Sequence, residues 1–362
     1  MKHRDRVLTA LGHEAPDRCP LQVSFTPEFA ERLRKHLRLD DSKSHNPHGG
    51  GNTYQLERAL DEDMLITSVC WANSYYQPQK RYTDEWGVGW DSVEYDTRFG
   101  KGRYTEICSH PLADTAVLDS YRAPDPTRPS LYEDARQMVA AYKTEYWING
   151  AVPTTIFETA WALRGLPQLL MDFMEDPDLA DRILDIPLGY HREAAVRLAK
   201  LGVDMIWFGD DVGTQSGMLM SPDTWRRFLK PRLADIIQAV KGVNPRVKVA
   251  YHSDGTIWPI IPELIDIGVD ILNPVQPACM DPAEIKKRFG KNLCFWGTID
   301  EQHTLPFGTS VDVRKEVLLR LKTIGKSGGL IIGPTHHVQL DTPVENLEEL
   351  VRTVKSTPYG TL

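Results

Sequence analysis

From residue 131 onward the chain alternates stretches of helical apolar spacing with short β-branched or apolar runs, at the interval of strand–helix–strand units. No other feature narrows the fold as far. The pattern predicts strands at 152–158, 204–210, 247–252, 269–274, 293–297 and 329–333. Helices are predicted at 131–142, 167–173, 178–202, 222–240, 260–267, 282–289, 311–325 and 344–354. Two earlier runs, at 20–25 and 64–71, read as strands and bring the total to eight. Eight strands, most of them followed by a helix, predict a (β/α)8 TIM barrel; a doubly wound open sheet is the competing topology. The 362 residues suit a single barrel domain spanning 1–362.

The alternation is interrupted after the second strand, over about 74–112. There, aromatic residues alternate with polar ones between glycine turns, as in Glu85-Trp86-Gly87-Val88-Gly89-Trp90 and Arg98-Phe99-Gly100-Lys101-Gly102-Arg103-Tyr104. This is β-hairpin chemistry, and a segment this short rarely folds alone, so it is expected to serve as a lid or a homodimer surface. A polar loop at 44–52 precedes it.

The 42 basic and 50 acidic residues leave a net charge of −8, which argues against non-specific nucleic-acid binding. The charged start, Met1 to Arg6, lacks a signal peptide's apolar core, and no uncharged apolar run reaches membrane-spanning length. A cytoplasmic protein with neither a nucleic-acid nor a membrane partner is expected. The five cysteines are scattered with no C-x-x-C pair, so no disulfide framework is expected, and Cys279 reads as an incidental small apolar residue. No G-x-G-x-x-G follows a strand and no P-loop occurs, which leaves nucleotide-dependent chemistry without support.

In a barrel the reaction site lies at the C-terminal ends of the strands. Ionisable and polar residues collect at those ends. Glu158 closes the third strand, with Trp161 and Arg164 following; Asp210 and Asp211 close the fourth and lead to Gln215. Tyr251, His252 and Asp254 fall at the end of the fifth, Asn273 and Gln276 after the sixth, Thr298 and Asp300 after the seventh, and His336 and His337 after the eighth. Singly, each has an ordinary structural use as a cap or an ion-pair partner. Together, imidazoles and carboxylates on one rim point to chemistry. His252 and Asp254 are two apart, hence on one side of an extended chain, and with His336 they make a two-imidazole, one-carboxylate set able to hold a divalent metal such as zinc. The alternative is a metal-free site in which His252 pairs with a carboxylate as general acid or base.

Several stretches resemble the uroporphyrinogen decarboxylase superfamily. They are Arg4-Asp5-Arg6-Val7-Leu8, Pro16-Asp17-Arg18-Cys19-Pro20, Ile206-Trp207-Phe208-Gly209-Asp210-Asp211, His252-Ser253-Asp254-Gly255, Leu272-Asn273-Pro274-Val275-Gln276, Gly333-Pro334-Thr335-His336-His337-Val338 and Asp341-Thr342-Pro343-Val344-Glu345-Asn346. The resemblance implies a (β/α)8 barrel and either of two activities: decarboxylation of porphyrinogens, or methyl transfer between a corrinoid protein and a thiol or pterin acceptor. Two departures separate these. The arginine-rich segment that decarboxylases of the family carry after strand one is replaced by Gln22-Val23-Ser24-Phe25-Thr26-Pro27-Glu28, and Ser68-Val69-Cys70-Trp71 stands where their pyrrole-binding aspartate is expected. A substrate with many carboxylates would then lack charge partners.

The family's methyltransferases place a His-x-Cys motif after strand five and a second cysteine after strand eight as zinc ligands. Here His252, Asp254 and His336 stand at those positions, a harder donor set better suited to an oxygen-containing substrate than to a thiol. The resemblance thus implies a methyltransferase that moves a methyl group between a corrinoid protein, or a small methylated substrate, and an acceptor. His252, Asp211 and Glu158 are its catalytic candidates; Asp210, Gln215, Tyr251, Asn273, Gln276, Trp161 and His337 are candidates for holding substrate. The chain has no D-x-H-x-x-G motif, so methylcobalamin is expected on a separate protein. A decarboxylase of a smaller carboxylated molecule and a non-catalytic ligand-binding barrel are the alternatives.

Overall fold

A computed structural model describes residues 1–39, 53–69 and 80–361. The strands are β1 (Met64–Ser68), β2 (Arg81–Thr83), β3 (Gly89–Thr97), β4 (Gly100–Ser109), β5 (Trp147–Val152), β6 (Met205–Gly209), β7 (Lys248–His252), β8 (Ile271–Asn273), β9 (Cys294–Trp296) and β10 (Leu330–Ile331). Seven of them form one parallel sheet in the order β1-β5-β6-β7-β8-β9-β10, with helices in the connections. This curled sheet is the body of a TIM barrel.

The stretch expected as the first strand, 20–25, closes the ring without becoming a regular strand. It meets the segment after β10 through single parallel bridges, Leu21 to Ile332 and Phe25 to Val338. Its other side faces the start of β1 and is held largely by side chains. The carboxylate of Asp63 accepts the Leu21 N–H at 2.8 Å, and that of Glu62 accepts the Val23 N–H at 3.0 Å. Asp63 is fully buried and also accepts from Arg6 and Arg18, each at 2.6 Å, and meets His3 Nδ1 at 2.9 Å. Burial alone would raise the Asp63 carboxyl, but His3 and the two guanidinium groups hold it below the usual range. The N-terminal motifs therefore do structural work: they seal the barrel at the end opposite the strands' C-termini.

Alternation along the strands stacks the interior in layers. Met64, Trp147, Met205, Ala250, Ile271, Cys294 and Ile331 fill the N-terminal end, stoppered by Val7 and Leu11 of the helix His3–Leu11. Two residues further along their strands, Ile66, Asn149, Trp207, His252, Asn273 and Trp296 line the floor and wall of a cavity. The strand expected at 152–158 lies instead at Trp147–Val152, because Pro153 cannot donate to a ladder and Phe157–Arg164 is already helical. The helix expected at 222–240 is two, Pro222–Phe228 and Lys230–Val243, with Pro231 at the start of the second.

The insertion is a three-stranded antiparallel sheet, β2-β3-β4, a hairpin with one short strand added. Trp86, 1% exposed, stacks on His191 with ring centres 5.9 Å apart, which docks the insertion on the long helix Pro177–Leu201. At the hairpin tip the Arg32 guanidinium sits 3.6 Å from the centre of the Phe99 ring, and Arg98 donates to the Pro306 carbonyl at 3.0 Å. The loop expected at 44–52, the beginning of the insertion at 74–79, and Cys70 and Trp71 lie outside the described residues. Among the described residues no helix is long and apolar enough to cross a membrane.

Candidate active site

At the C-terminal ends of the strands lies a cavity of about 300 Å³. Its best-defined wall is His252, the last residue of β7. The Asn273 carbonyl oxygen accepts from Trp207 Nε1 at 2.7 Å and faces His252 Nδ1 at 2.9 Å, while Asn273 Nδ2 donates to the Trp296 carbonyl at 3.0 Å. An indole N–H can only donate and a backbone carbonyl can only accept, so the amide has one satisfied orientation. His252 must then carry its proton on Nδ1. Nε2 is left facing the cavity, 3.5 Å from Asp211 Oδ1 and 3.9 Å from Asp254 Oδ1.

His252, Asp254 and His336 offer ligand atoms that all lie within 4.8 Å of one another. Asp254 Oδ1 is buried and has no hydrogen-bond partner among the described residues. Burial raises the Asp254 carboxyl, against the pull of His336 and His252. The Asp254 N–H is fixed on Asp211 Oδ1 at 2.8 Å, and the His336 N–H on Glu301 Oε2 at 2.8 Å. The loops after β6 and β7 touch at Gly255, whose φ is +79° and whose added Cβ would lie 2.5 Å from the Thr214 carbonyl oxygen; glycine is the residue that permits this approach. Glu158 completes the acidic side, its carboxyl held well above the usual range by burial and then by the charges of Asp211 and Asp210. Among the described residues lining the cavity there is no Arg or Lys. Two imidazoles, several carboxylates and one orphaned buried oxygen fit a divalent cation bound through nitrogen and oxygen.

The other rim residues separate. Asn273 orients His252, and His337 lines the cavity edge-on to His336 at 4.6 Å. Asp210 points away and accepts the N–H groups of Ile156 and Glu158 at 3.0 Å, capping the helix Phe157–Arg164; burial pushes its carboxyl up to about 7 against these bonds. Tyr251, next to His252, faces the opposite side of the sheet, 1% exposed, with its hydroxyl on the Asp210 carbonyl at 3.3 Å. Gln276 accepts the Gly255 N–H at 2.5 Å and so supports the turn carrying Asp254. Gln215 is exposed and contacts Cys279 Sγ and Gln302, while Trp161 packs on the core. Arg164 pairs with Asp172 at 2.7 Å, and Asp300 caps the turn at Thr304.

Sequence reasoning missed Glu301, Gln22, Asn149 and Trp296 as members of the site or its support. Trp296 has a signal in strand alternation. Glu301 has none, since its place under His336 depends on how two loops meet.

A parallel barrel with its polar cavity at the strand C-termini belongs to the class of (β/α)8 enzymes. The chain belongs to the uroporphyrinogen decarboxylase family: the family model described as Uroporphyrinogen decarboxylase (URO-D) matches residues 92–357. It is 30% identical over 175 residues to the methylcobamide:CoM methyltransferase MtaA of Methanosarcina barkeri, a match covering 48% of each chain and so about half of that protein's length. It is 25% identical over 274 residues to the uroporphyrinogen decarboxylase of Trichodesmium erythraeum, covering 73% of each. The solved structure of a methyltransferase from Methanosarcina mazei shares the fold, with a TM-score of 0.71 and 19% identity over 98% of both chains. Both kinds of named relative are enzymes.

Proposed function

We propose that this chain is a methyltransferase of the family, with a divalent cation, zinc or a similar ion, held by His252, Asp254 and His336. The observation that carries this reading is the Asn273 amide, which commits His252 Nε2 to the cavity opposite the unpartnered Asp254 oxygen. Such a cation, when bound, supplies Lewis acidity toward an acceptor heteroatom. The methyl donor is a methylated corrinoid on a separate protein, or a small methylated molecule. As the acceptor's bond to the methyl carbon forms, the donor's bond to that carbon breaks with its electron pair staying on the donor; the acceptor's proton must leave, and Asp211 is the cavity carboxylate beside His252 placed to take it. Glu158, held toward its neutral form, donates a hydrogen bond to substrate instead. The absence of Arg and Lys from the described lining disfavours a substrate with many carboxylates.

The longer match to the Trichodesmium decarboxylase favours a second reading, decarboxylation of a small carboxylated molecule by the same carboxylates. Metal analysis together with demethylation of methylcobalamin in the presence of thiol, pterin and hydroxylated acceptors tests the proposal. Bound metal and demethylation, both lost in His252→Ala, are expected. A metal-free protein that leaves methylcobalamin intact and releases carbon dioxide from a substrate panel would replace the first reading with the second.

A further inference from the structure

We propose that Asn149 is a specificity-determining residue at the cavity floor, selecting a ligand whose buried end presents a hydrogen-bond acceptor and donor side by side, as a primary amide or a lactam does. This rests on reading the cavity as the substrate site. Asn149 is fully buried on β5 and lines the cavity, yet among the described residues neither its Nδ2 nor its Oδ1 has a hydrogen-bond partner. The two other amides of the cavity wall are engaged. Gln22 accepts from Trp296 Nε1 at 3.0 Å and donates to Ser24 Oγ at 2.9 Å, and Asn273 is held as described above. A buried amide missing both a donor and an acceptor partner costs stability, and an apolar residue of the same size would suit a merely structural place better. The amide is offset only when something in the cavity completes it.

The complement is specific. A carboxylate could satisfy Nδ2 but would set its charge against Oδ1 and against Asp211 and Asp254; an amidinium could satisfy Oδ1 but not Nδ2. An amide edge satisfies both. Trp207 and Trp296, with ring centres 6.4 Å apart at 61°, supply aromatic walls for a planar group bearing that edge.

Calorimetric titration of the purified protein with benzamide, acetophenone and benzamidine tests this. The wild type is expected to bind benzamide about tenfold or more tightly than acetophenone, which keeps the acceptor but lacks the donor. Asn149→Leu is expected to erase that preference. Asn149→Asp, whose carboxylate, ionised opposite an amidinium, offers acceptors only, is expected to shift the benzamidine-to-benzamide affinity ratio about tenfold toward benzamidine, a reversal that a structural role does not produce and that remains readable if the leucine variant fails to fold. Equal wild-type affinity for benzamide and acetophenone, or a ratio unmoved by Asn149→Asp, overturns the inference. Metal content and methylcobalamin turnover of the wild type report separately on the methyltransferase reading, so either conclusion can fail without the other.

Discussion

Replacing Asn273 with leucine tests the link between the amide and the imidazole. Leucine fills a similar volume but accepts from neither His252 Nδ1 nor Trp207 Nε1 and donates nothing to the Trp296 carbonyl, so bonds of 2.9, 2.7 and 3.0 Å are lost together. With each net hydrogen bond contributing about 1 kcal/mol, the variant should lose about 3 kcal/mol of stability. Its second signature is in the proposed metal binding. A partner that fixes the tautomer and tilt of a ligating histidine typically contributes 10–100-fold in metal affinity, roughly 1.4–2.7 kcal/mol. Urea unfolding measures the first quantity, and competition with a chromogenic chelator measures the second on folded protein. Asn273→Asp retains an acceptor for both N–H groups and should keep more of the zinc affinity than Asn273→Leu does. A leucine variant that loses stability but binds zinc as tightly as the wild type would refute the idea that Asn273 sets the His252 donor.

Two further outcomes concern stability. Asp63→Ala takes from Arg6 and Arg18 their shared buried carboxylate, leaving them only the more exposed Asp17 and Asp61, and frees the Leu21 N–H, so urea unfolding should show a loss of about 3–5 kcal/mol; a loss below about 1 kcal/mol would mean that the barrel closes without this carboxylate. His191 is fully buried and burial lowers its pKa from 6.5 to about 3, so the unfolded chain takes up a proton that the folded chain refuses. Its contribution is intact above pH 6.5 and is lost as the pH falls toward 3, by about 2 kcal/mol at pH 5. In His191→Phe, which keeps a ring against Trp86, the drop in stability between pH 7 and pH 5 should shrink by about that amount, and an unchanged drop would contradict it.

The barrel was legible because seven of its staves are short apolar runs between helices, a pattern that local sequence carries. The eighth was less so. Residues 20–25 look like a strand, but one side of that segment is held by the carboxylates of Glu62 and Asp63, which only the folded chain brings near. At the site, His252, Asp254 and His336 could be placed from strand ends alone, and the structure brings their ligand atoms together. Tyr251 shows the limit of listing a rim without its pleat: it neighbours His252 and therefore faces the other way. Asn149 was lost for a different reason. Its strand was expected five residues later, over a β-branched run that turns out to hold Pro153 and the approach to a helix. Asp210 looked like a substrate-holding carboxylate beside Asp211, and its capping of Ile156 and Glu158 is a contact between connections 54 and 52 residues apart in sequence.

The most direct measurement is the metal content, by mass spectrometry, of protein purified without chelators, for the wild type, His252→Ala and His336→Ala. One divalent ion per wild-type chain is expected, and its loss from both variants. A folded wild type that carries no such ion, and takes up none from added zinc, would contradict it.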